Sequence, residues 1–417
     1  MLSLPRSLRL VALVTLSLFS LRSLFAAEPA TTTAPLSVEE RLNRLEKELS
    51  EVRQENQQLR QQLGVANSSA TPFIKPMGHE TMFSIGGFLH AQAEFGDPGD
   101  SRFGSGHDRI YIRRARISTL GRYSNHFDFK LDVEMAGDLS ETSGYRGRML
   151  DGLINWTQFS FANVRVGQFK APFGFELLGS DLNLYTIERA MVSDRLPINR
   201  QIGAQLSGNV LEGRLSYTTG VFNGAGANTN ANDNNAFAWV SRVTGVPWQG
   251  QLGGQPARWV TEASVFTTDD YKLSGQPAEF GFDSTPGDKN ADNIFTGHHS
   301  AIDFNTQFHA GPFDLWAEYI RTRFEPTSTI PAKVFDAEGW YVQAAYTILP
   351  DKLQSVLKFD AYDPNVRIGG NGTDTWTIGA NYLFSQDVKL MTDLLIFDAP
   401  GQPRHSQKLL MRLQTIF

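Results

Sequence analysis

The 417-residue chain contains no cysteine, which excludes a disulfide framework, a thiolate metal site and a cysteine nucleophile. After the N-terminus it also lacks any run of 18 apolar residues, which argues against a helical membrane protein. Basic residues are fewer than acidic ones, 38 against 44. Residues 1–27, interpreted below as a cleavable signal peptide, contain three of the 38 basic groups and none of the 44 acidic groups. The remaining chain therefore has 35 basic against 44 acidic groups and a formal charge of −9. That balance argues against a general nucleic-acid-binding protein, and we predict no nucleic-acid partner.

Residues 1–27 have the composition of a secretory signal peptide. Arg6 and Arg9 supply a positive start, an apolar run extends from Leu10 to Leu21, and alanines stand at 26 and 27. The alternative is an N-terminal membrane anchor, although the apolar run is too short to span a bilayer. We therefore predict that the chain is exported.

Between Ser37 and Leu63 apolar residues recur with a period of 3.5, which predicts a short α-helical coiled coil over residues 37–64. Leucine or valine occupies the core positions except at Asn56, a polar residue of the kind that fixes register. Opposite charges pair across the flanks if identical chains run parallel: Arg41 with Glu46, Glu48 with Arg53, and Glu55 with Arg60.

This pattern predicts self-association, but the core residues do not select an oligomer number. The alternative is a lone amphipathic helix that lies on the barrel or is disordered until assembly. Residues 65–77, rich in Ala, Ser and Pro, are interpreted as a flexible linker.

From residue 78 to 417 the period becomes two. Within 127–135 the odd positions are apolar and the even positions are Asp, Lys or Glu. One hydrocarbon face and one charged face fit a barrel strand with lipid outside and water inside. Such segments predict an all-β transmembrane barrel of 16 antiparallel strands. They lie near 82–95, 109–121, 126–136, 150–160, 163–169, 201–209, 213–222, 236–246, 256–267, 300–310, 313–323, 337–347, 353–362, 373–383, 387–397 and 405–417.

The connections alternate between long and short, as in outer-membrane barrels whose termini both lie at the short-turn, periplasmic side. We therefore predict an outer-membrane location, with lipid around the barrel and the coiled coil in the periplasm. One connection departs from the alternation, because 247–255 should be a short turn and is nine residues long. The long connection 268–299 is acidic, with Asp269, Asp270, Glu279, Asp283, Asp288 and Asp292 against two lysines.

A series of short motifs runs through the same segment. They are Arg113-Arg114-Ala115-Arg116, Val166-Gly167-Gln168-Phe169-Lys170-Ala171-Pro172-Phe173-Gly174, Glu188-Arg189-Ala190, Arg200-Gln201-Ile202-Gly203, Gly220-Val221-Phe222-Asn223-Gly224 and Gly339-Trp340-Tyr341-Val342-Gln343. In residue type and order they resemble the phosphate-selective porin O/P family. The resemblance implies a homotrimer of sixteen-stranded barrels, each with a loop folded inward as a constriction. On that basis we expect an outer-membrane porin for passive diffusion of small hydrophilic solutes or ions. Its preference for anions or phosphate is left open.

The connection 170–200 is the expected constriction loop. It is too long for an ordinary loop and holds apolar residues that a solvent-exposed loop would not need. The candidate pore residues are Lys170, Arg189, Arg195 and Arg200, together with Arg114, Arg116 and Arg165, which strand alternation directs into the lumen. Guanidinium groups can replace part of an anion's hydration, and a succession of weak sites lets an ion pass. The alternative is that each cation pairs with a carboxylate and braces the wall, as Glu188 and Asp194 beside Arg189 and Arg195 would allow.

Two other functional classes are alternatives to a porin. The chain has eight histidines but no H-E-x-x-H motif and no nucleophile elbow, so no catalytic residue, metal site or cofactor is predicted. The second alternative is a structural outer-membrane anchor that contacts the cell wall through the coiled coil.

Overall fold

The structure is a computed structural model that describes residues 81–100, 102–103, 107–136, 147–273, 280, 295–327 and 334–417. Contacts divide the chain into two units, Met1–Lys75 and Pro76–Phe417. The predicted signal peptide, coiled coil and linker lie outside the described residues, so they remain predictions.

The second unit is a closed antiparallel barrel in which each strand pairs with its neighbours in sequence and β1 pairs with β16. The prediction of sixteen strands is confirmed. The strands are β1 Thr81–Gly96, β2 Arg109–Tyr123, β3 Phe127–Glu134, β4 Arg148–Phe159, β5 Ala162–Lys170, β6 Arg200–Val210, β7 Leu215–Phe222, β8 Ala238–Leu252, β9 Gln255–Leu273, β10 Phe295–Ala310, β11 Phe313–Pro326, β12 Phe335–Leu349, β13 Leu353–Asp363, β14 Thr373–Leu383, β15 Val388–Asp398 and β16 Ser406–Ile416.

The barrel is apolar outside and polar inside. In β3 the side chain of Leu131 is 42% exposed, whereas that of its neighbour Asp132 is 5% exposed. Such an arrangement would be unfavourable in water, because it exposes hydrocarbon and encloses charge. It is favourable when lipid covers the outside and the enclosed charges find partners in the lumen.

The last residue closes the seam between β1 and β16. The Phe417 N–H donates to the Gly87 carbonyl at 3.0 Å, and the Gly87 N–H donates to the Phe417 carbonyl at 2.8 Å. The start of β1 and the end of β16 therefore lie at one end of the barrel, together with the short connections. We call this the turn end and the opposite one the loop end.

The structure corrects the connection at 247–255. Strand β8 continues to Leu252 and β9 begins at Gln255, so the turn is only Gly253-Gly254, with φ of 58° and 77°. The pairing shifts register between Gly245 and Trp248, so that Pro247 lies at an irregularity where proline is tolerated. With this correction the short connections are all at the turn end.

The connection 268–299 is also shorter than predicted, because β9 extends to Leu273 and β10 begins at Phe295. Asp269 lies within β9, with its carboxylate 2.7 Å from His298 Nδ1. Asp270, also in β9, pairs with His299 of β10. These two acidic residues therefore belong to the wall, and the other four lie outside the described residues.

The long connection between β5 and β6, residues 171–199, turns into the barrel, and we call it the inner loop. It contains two short helices, α1 Phe175–Leu178 and α2 Met191–Arg195. Its Phe173 and Val192 are fully buried in a hydrophobic cluster with wall residues such as Phe222 and Ile320. Its apolar residues therefore form a small core inside the barrel.

Short 3₁₀ segments, Ser124–His126 and Leu211–Gly213, lie in connections at the turn end. Among the residues that the structure describes, no helix combines the length and hydropathy needed to cross a membrane.

Candidate functional site

Carboxylates of β11, β13 and β15 accept hydrogen bonds from backbone N–H groups of the inner loop and so hold it in place. Glu318 of β11 accepts from the N–H of Phe175 at 2.5 Å and from Ser193 Oγ at 2.7 Å. Asp360 of β13 accepts from the N–H of Met191 at 3.2 Å, and Asp393 of β15 accepts from that of Ile187 at 2.6 Å. These bonds satisfy loop N–H groups that burial would otherwise leave without partners.

Donors from neighbouring strands hold the loop's carbonyl groups. The bonds run from Asn381 Nδ2 to Tyr185 O at 2.8 Å, from Lys389 Nζ to Leu182 O at 3.2 Å, and from Arg412 Nη1 to Ile187 O at 2.6 Å. Strands β11 and β13–β16 therefore all bind main-chain or hydroxyl groups of the inner loop. The loop is fixed against this wall over most of its length.

Three predicted pore residues converge on one carboxylate of the inner loop. Asp181 lies 3.4 Å from Arg114 Nε, 2.5 Å from Arg116 Nη1 and 2.7 Å from Arg189 Nη1. Arg114 and Arg116 belong to β2, and Arg189 belongs to the loop itself. The Asp181 side chain is 3% exposed and the three guanidinium groups are 9 to 14% exposed. The site is thus assembled between wall and loop and is nearly closed to water.

A second carboxylate, Glu188, joins the loop to both sides of the barrel seam. It lies 2.8 Å from Arg412 Nη2 of β16 and 3.3 Å from Arg113 Nε of β2. Strict alternation would direct Arg113 outward. However, the β1–β2 pairing shifts by one residue between His90 and Ala91, and the resulting bulge turns Arg113 to the lumen beside Arg114.

The loop carboxyl groups stay ionised. Burial alone would raise the pKa of Asp181, but Arg114, Arg189 and Arg116 hold that pKa well below its ordinary value. Burial opposes ionisation of Glu188 too, and there Arg113, Arg412 and Arg114 lower the pKa. Both groups therefore carry a full negative charge at neutral pH.

The remaining predicted pore residues have other partners. Lys170 Nζ donates to the carbonyls of Leu177 and Gly179, at 2.5 and 3.1 Å, and so braces the first half of the loop. Arg165 Nε donates to Asn155 Oδ1 at 2.7 Å. These two cations support the wall and the loop.

Arg200 pairs directly with Lys170 between β5 and β6, and Arg195 ends α2. Arg200 Nε is 2.8 Å from an Asp151 oxygen, and Arg195 Nη1 is 3.6 Å from Asp194. Both arginines, with Arg148, line a cavity of about 410 Å³ beside the second half of the inner loop. Each of the seven predicted residues therefore has a polar partner. Five of them face a carboxylate, whereas Lys170 meets backbone carbonyls and Arg165 meets an amide oxygen.

Sequence reasoning missed Arg113, Arg412 and the wall residues that bind the loop backbone. Strand alternation could have directed Arg412 inward, since Met411 and Leu413 occupy the opposite face. The bulge at Arg113 carries no comparable signal. Within the described ranges, no group of three or more His, Asp or Glu side chains is placed to hold a metal ion.

Comparison with known proteins agrees with this architecture. A search of curated protein sequences finds no match to the chain. Among solved structures, the anion-selective porin from Comamonas acidovorans aligns at 12% identity and a TM-score of 0.55, covering 81% of this chain and all of that one.

Two further structures align similarly. The outer membrane channel DcaP of Acinetobacter baumannii gives 14% identity and a TM-score of 0.54, covering 81% and 97% of the two chains. A loop-deletion mutant of OmpT from Vibrio cholerae gives 12% and 0.53, covering 81% and 99%. At such identities the matches establish the fold alone.

The family assignment rests on a sequence model. The model described as phosphate-selective porin O and P matches residues 83–408, which spans all the strands from β1 into β16 and includes the inner loop. The chain belongs to the phosphate-selective porin O and P family of outer-membrane porins.

Proposed function

We propose that this porin lets small hydrophilic solutes diffuse passively across the outer membrane and favours anions. The observation that carries the proposal is the charge where the inner loop meets β2 and β16. Five guanidinium groups lie there against three carboxylates, an excess of two positive charges. The groups are Arg113, Arg114, Arg116, Arg189 and Arg412 against Glu134, Asp181 and Glu188.

This excess of positive charge acts on ions through its electrostatic potential. A narrow polar passage with low-dielectric walls focuses the potential of fixed charges, so anions are concentrated at the loop and cations are repelled. The arginines need not release their carboxylate partners for this to happen. The preference is therefore expected to be moderate and to weaken as salt rises.

The test is the reversal potential of purified protein in a planar bilayer under a potassium chloride gradient. An anion-preferring potential is expected, and Arg113→Gln should move it toward zero by removing one excess charge. Arg122→Gln is the matched control, because Arg122 lies in the same strand near the turn end, is about half exposed and pairs with Asp128. Cation preference in the parent protein would overturn the proposal, and absence of discrete channels would overturn the porin function itself.

We further propose that the protein works as a homotrimer with its turn end in the periplasm, where residues 37–64 would associate as a parallel coiled coil. The family assignment and the charge pairs of the heptads support this arrangement. No described contact and no family match supports the alternative of a purely structural anchor. Native mass measurement of detergent-purified protein tests the trimer, and a monomeric mass would contradict it.

A further inference from the structure

The Asp181 carboxylate occupies the place of a ligand. Three guanidinium groups from two separate elements surround its two oxygens, with N–O distances of 2.5 to 3.4 Å. Arginine forks arranged around an oxygen pair are the usual means by which proteins bind carboxylate or phosphate anions. An aspartate supplied by the chain itself fills the space that a dissolved oxyanion would otherwise take.

We propose that Asp181 is a built-in counter-anion that fills a latent oxyanion site, so that phosphate passes this porin without being retained. The inference rests on the proposed anion permeation, and it assigns to Asp181 the weak phosphate binding that we expect of the parent protein. With Asp181 in place, Arg114, Arg116 and Arg189 contribute positive electrostatic potential at the inner loop but leave no vacant position for a dissolved anion.

The surroundings support a latent site, because the charges favour an anion at this position and other contacts hold two of the arginines in place. Without a carboxylate, three enclosed guanidinium groups would repel one another at short range. Arg189 also donates to the backbone carbonyls of Glu176 and Gly179, at 2.9 and 3.1 Å, so its position does not depend on Asp181 alone. Arg116 likewise keeps Glu134 at 2.9 Å. The site should therefore persist when the Asp181 charge is removed.

Glu188 is a poorer candidate for the same role. It faces two guanidinium groups in direct contact, and its partner Arg412 is fully enclosed and bound to Gln92 and Ile187. The Asp181 cluster has the additional cation. Exposure does not separate the two sites, because Arg113 beside Glu188 is 20% exposed and Arg116 beside Asp181 is 14% exposed and so keeps some contact with water. An anion in the lumen could therefore reach it.

The experiment compares the parent protein with Asp181→Asn and Asp194→Asn. Asp194 is the matched control, because it belongs to the same loop but is 43% exposed and lies 3.6 Å from Arg195. Chloride current through single channels is recorded while inorganic phosphate is added. Phosphate should reduce the current of Asp181→Asn at a concentration about tenfold or more below that needed for the parent and the control, as one gained charge-assisted hydrogen bond would give.

A second readout does not depend on conduction. The temperature at which the folded barrel unfolds in detergent should rise with phosphate for Asp181→Asn only, compared with chloride at equal ionic strength. If Asp181→Asn assembles poorly, assembly is repeated with phosphate or chloride present, and rescue by phosphate alone supports the site. Equal phosphate sensitivity of all three proteins, or assembly that phosphate does not rescue, would overturn the inference. Cation preference in the parent would overturn the proposed function instead.

Discussion

Lys358 of β13 and Glu176 of the inner loop form an enclosed ion pair. Their charged atoms are 2.9 Å apart and each side chain is 1% exposed. Lys358 Nζ also donates to Thr186 Oγ1 and to the Glu188 carbonyl, at 3.2 and 3.3 Å, and Glu176 accepts from the N–H of Ala190 at 2.7 Å. One lysine thus joins separate parts of the loop to the wall.

Lys358→Met should destabilise the barrel by about 3–5 kcal/mol, because it leaves the Glu176 carboxylate enclosed without its counter-charge. Urea unfolding of the purified protein in detergent measures the change. The double variant Lys358→Met with Glu176→Gln removes both charges and should recover much of the loss. A single variant as stable as the parent would show that the pair contributes little.

For single residues, the sequence predicts which face of the barrel wall a side chain lies on better than which group that side chain contacts. Alternation correctly directs Arg114 and Arg116 into the lumen, since successive side chains of a strand point to opposite faces of the sheet. Their partner Asp181 lies more than sixty residues away and meets them only because the inner loop crosses the lumen. Arg113 shows a different limit, because a bulge reverses alternation and depends on how the partner strand pairs.

Among the elements, β8 and β9 show how a local break in pattern misleads. Gly245 and Pro247 suggest the end of a strand, yet the strand continues past a register shift to the two glycines at 253 and 254. Positive φ at both positions is what a two-residue hairpin turn of type I′ requires. The glycine pair was therefore the better signal for the turn.

Gly253→Val should destabilise the barrel by about 1–2 kcal/mol, because a β-branched residue is strained at positive φ. Gly253→Asn should be nearly neutral, since asparagine tolerates this conformation. The unfolding temperature in detergent distinguishes the two. Gly369→Val is a suitable control, because a Cβ at Gly369 meets no atom within 4 Å and its φ is not positive. Equal effects of both valines would argue against the turn geometry.

On the scale of the whole molecule, the closed barrel could be predicted because its signal repeats in every strand, so a wrong boundary in one strand does not change the fold. The inner loop could be placed from its length and apolar content. Its attachments could not, because they join loop backbone to side chains from strands 120 to 240 residues later in the chain, in a register set by barrel closure.

Because the chain has no cysteine, single introduced cysteines can test which residues face the lumen and which face lipid. Lys130→Cys should react with a charged, membrane-impermeant thiol reagent applied to intact outer-membrane vesicles, because residue 130 faces the lumen. Leu131→Cys should stay protected by lipid, although it is one residue away and 42% exposed in the bare protein. Both should react after unfolding in detergent. Rapid labelling of residue 131 in vesicles would contradict the assigned faces.

Deletion of residues 37–64 tests the coiled coil, which stays a prediction. If the heptads associate in parallel, the deletion should lower the temperature at which the oligomer dissociates while leaving the barrel folded and conducting. A variant that reverses Glu48 and Glu55 to lysine should have the same effect, because both charges then face arginine. An unchanged dissociation temperature in both variants would remove self-association as the role of this segment.

The wall holds the inner loop mainly through peptide groups, and this has a consequence for how such a protein can diversify. A substitution in the loop keeps the backbone N–H and carbonyl that Asp393, Asn381 and Arg412 bind. Loop side chains outside the small core and outside the ion pairs of Glu176, Asp181 and Glu188 can therefore change in charge and size across generations while the attachment survives. Selection for a new nutrient could act on those few positions, and the same property makes the loop a suitable region for directed evolution.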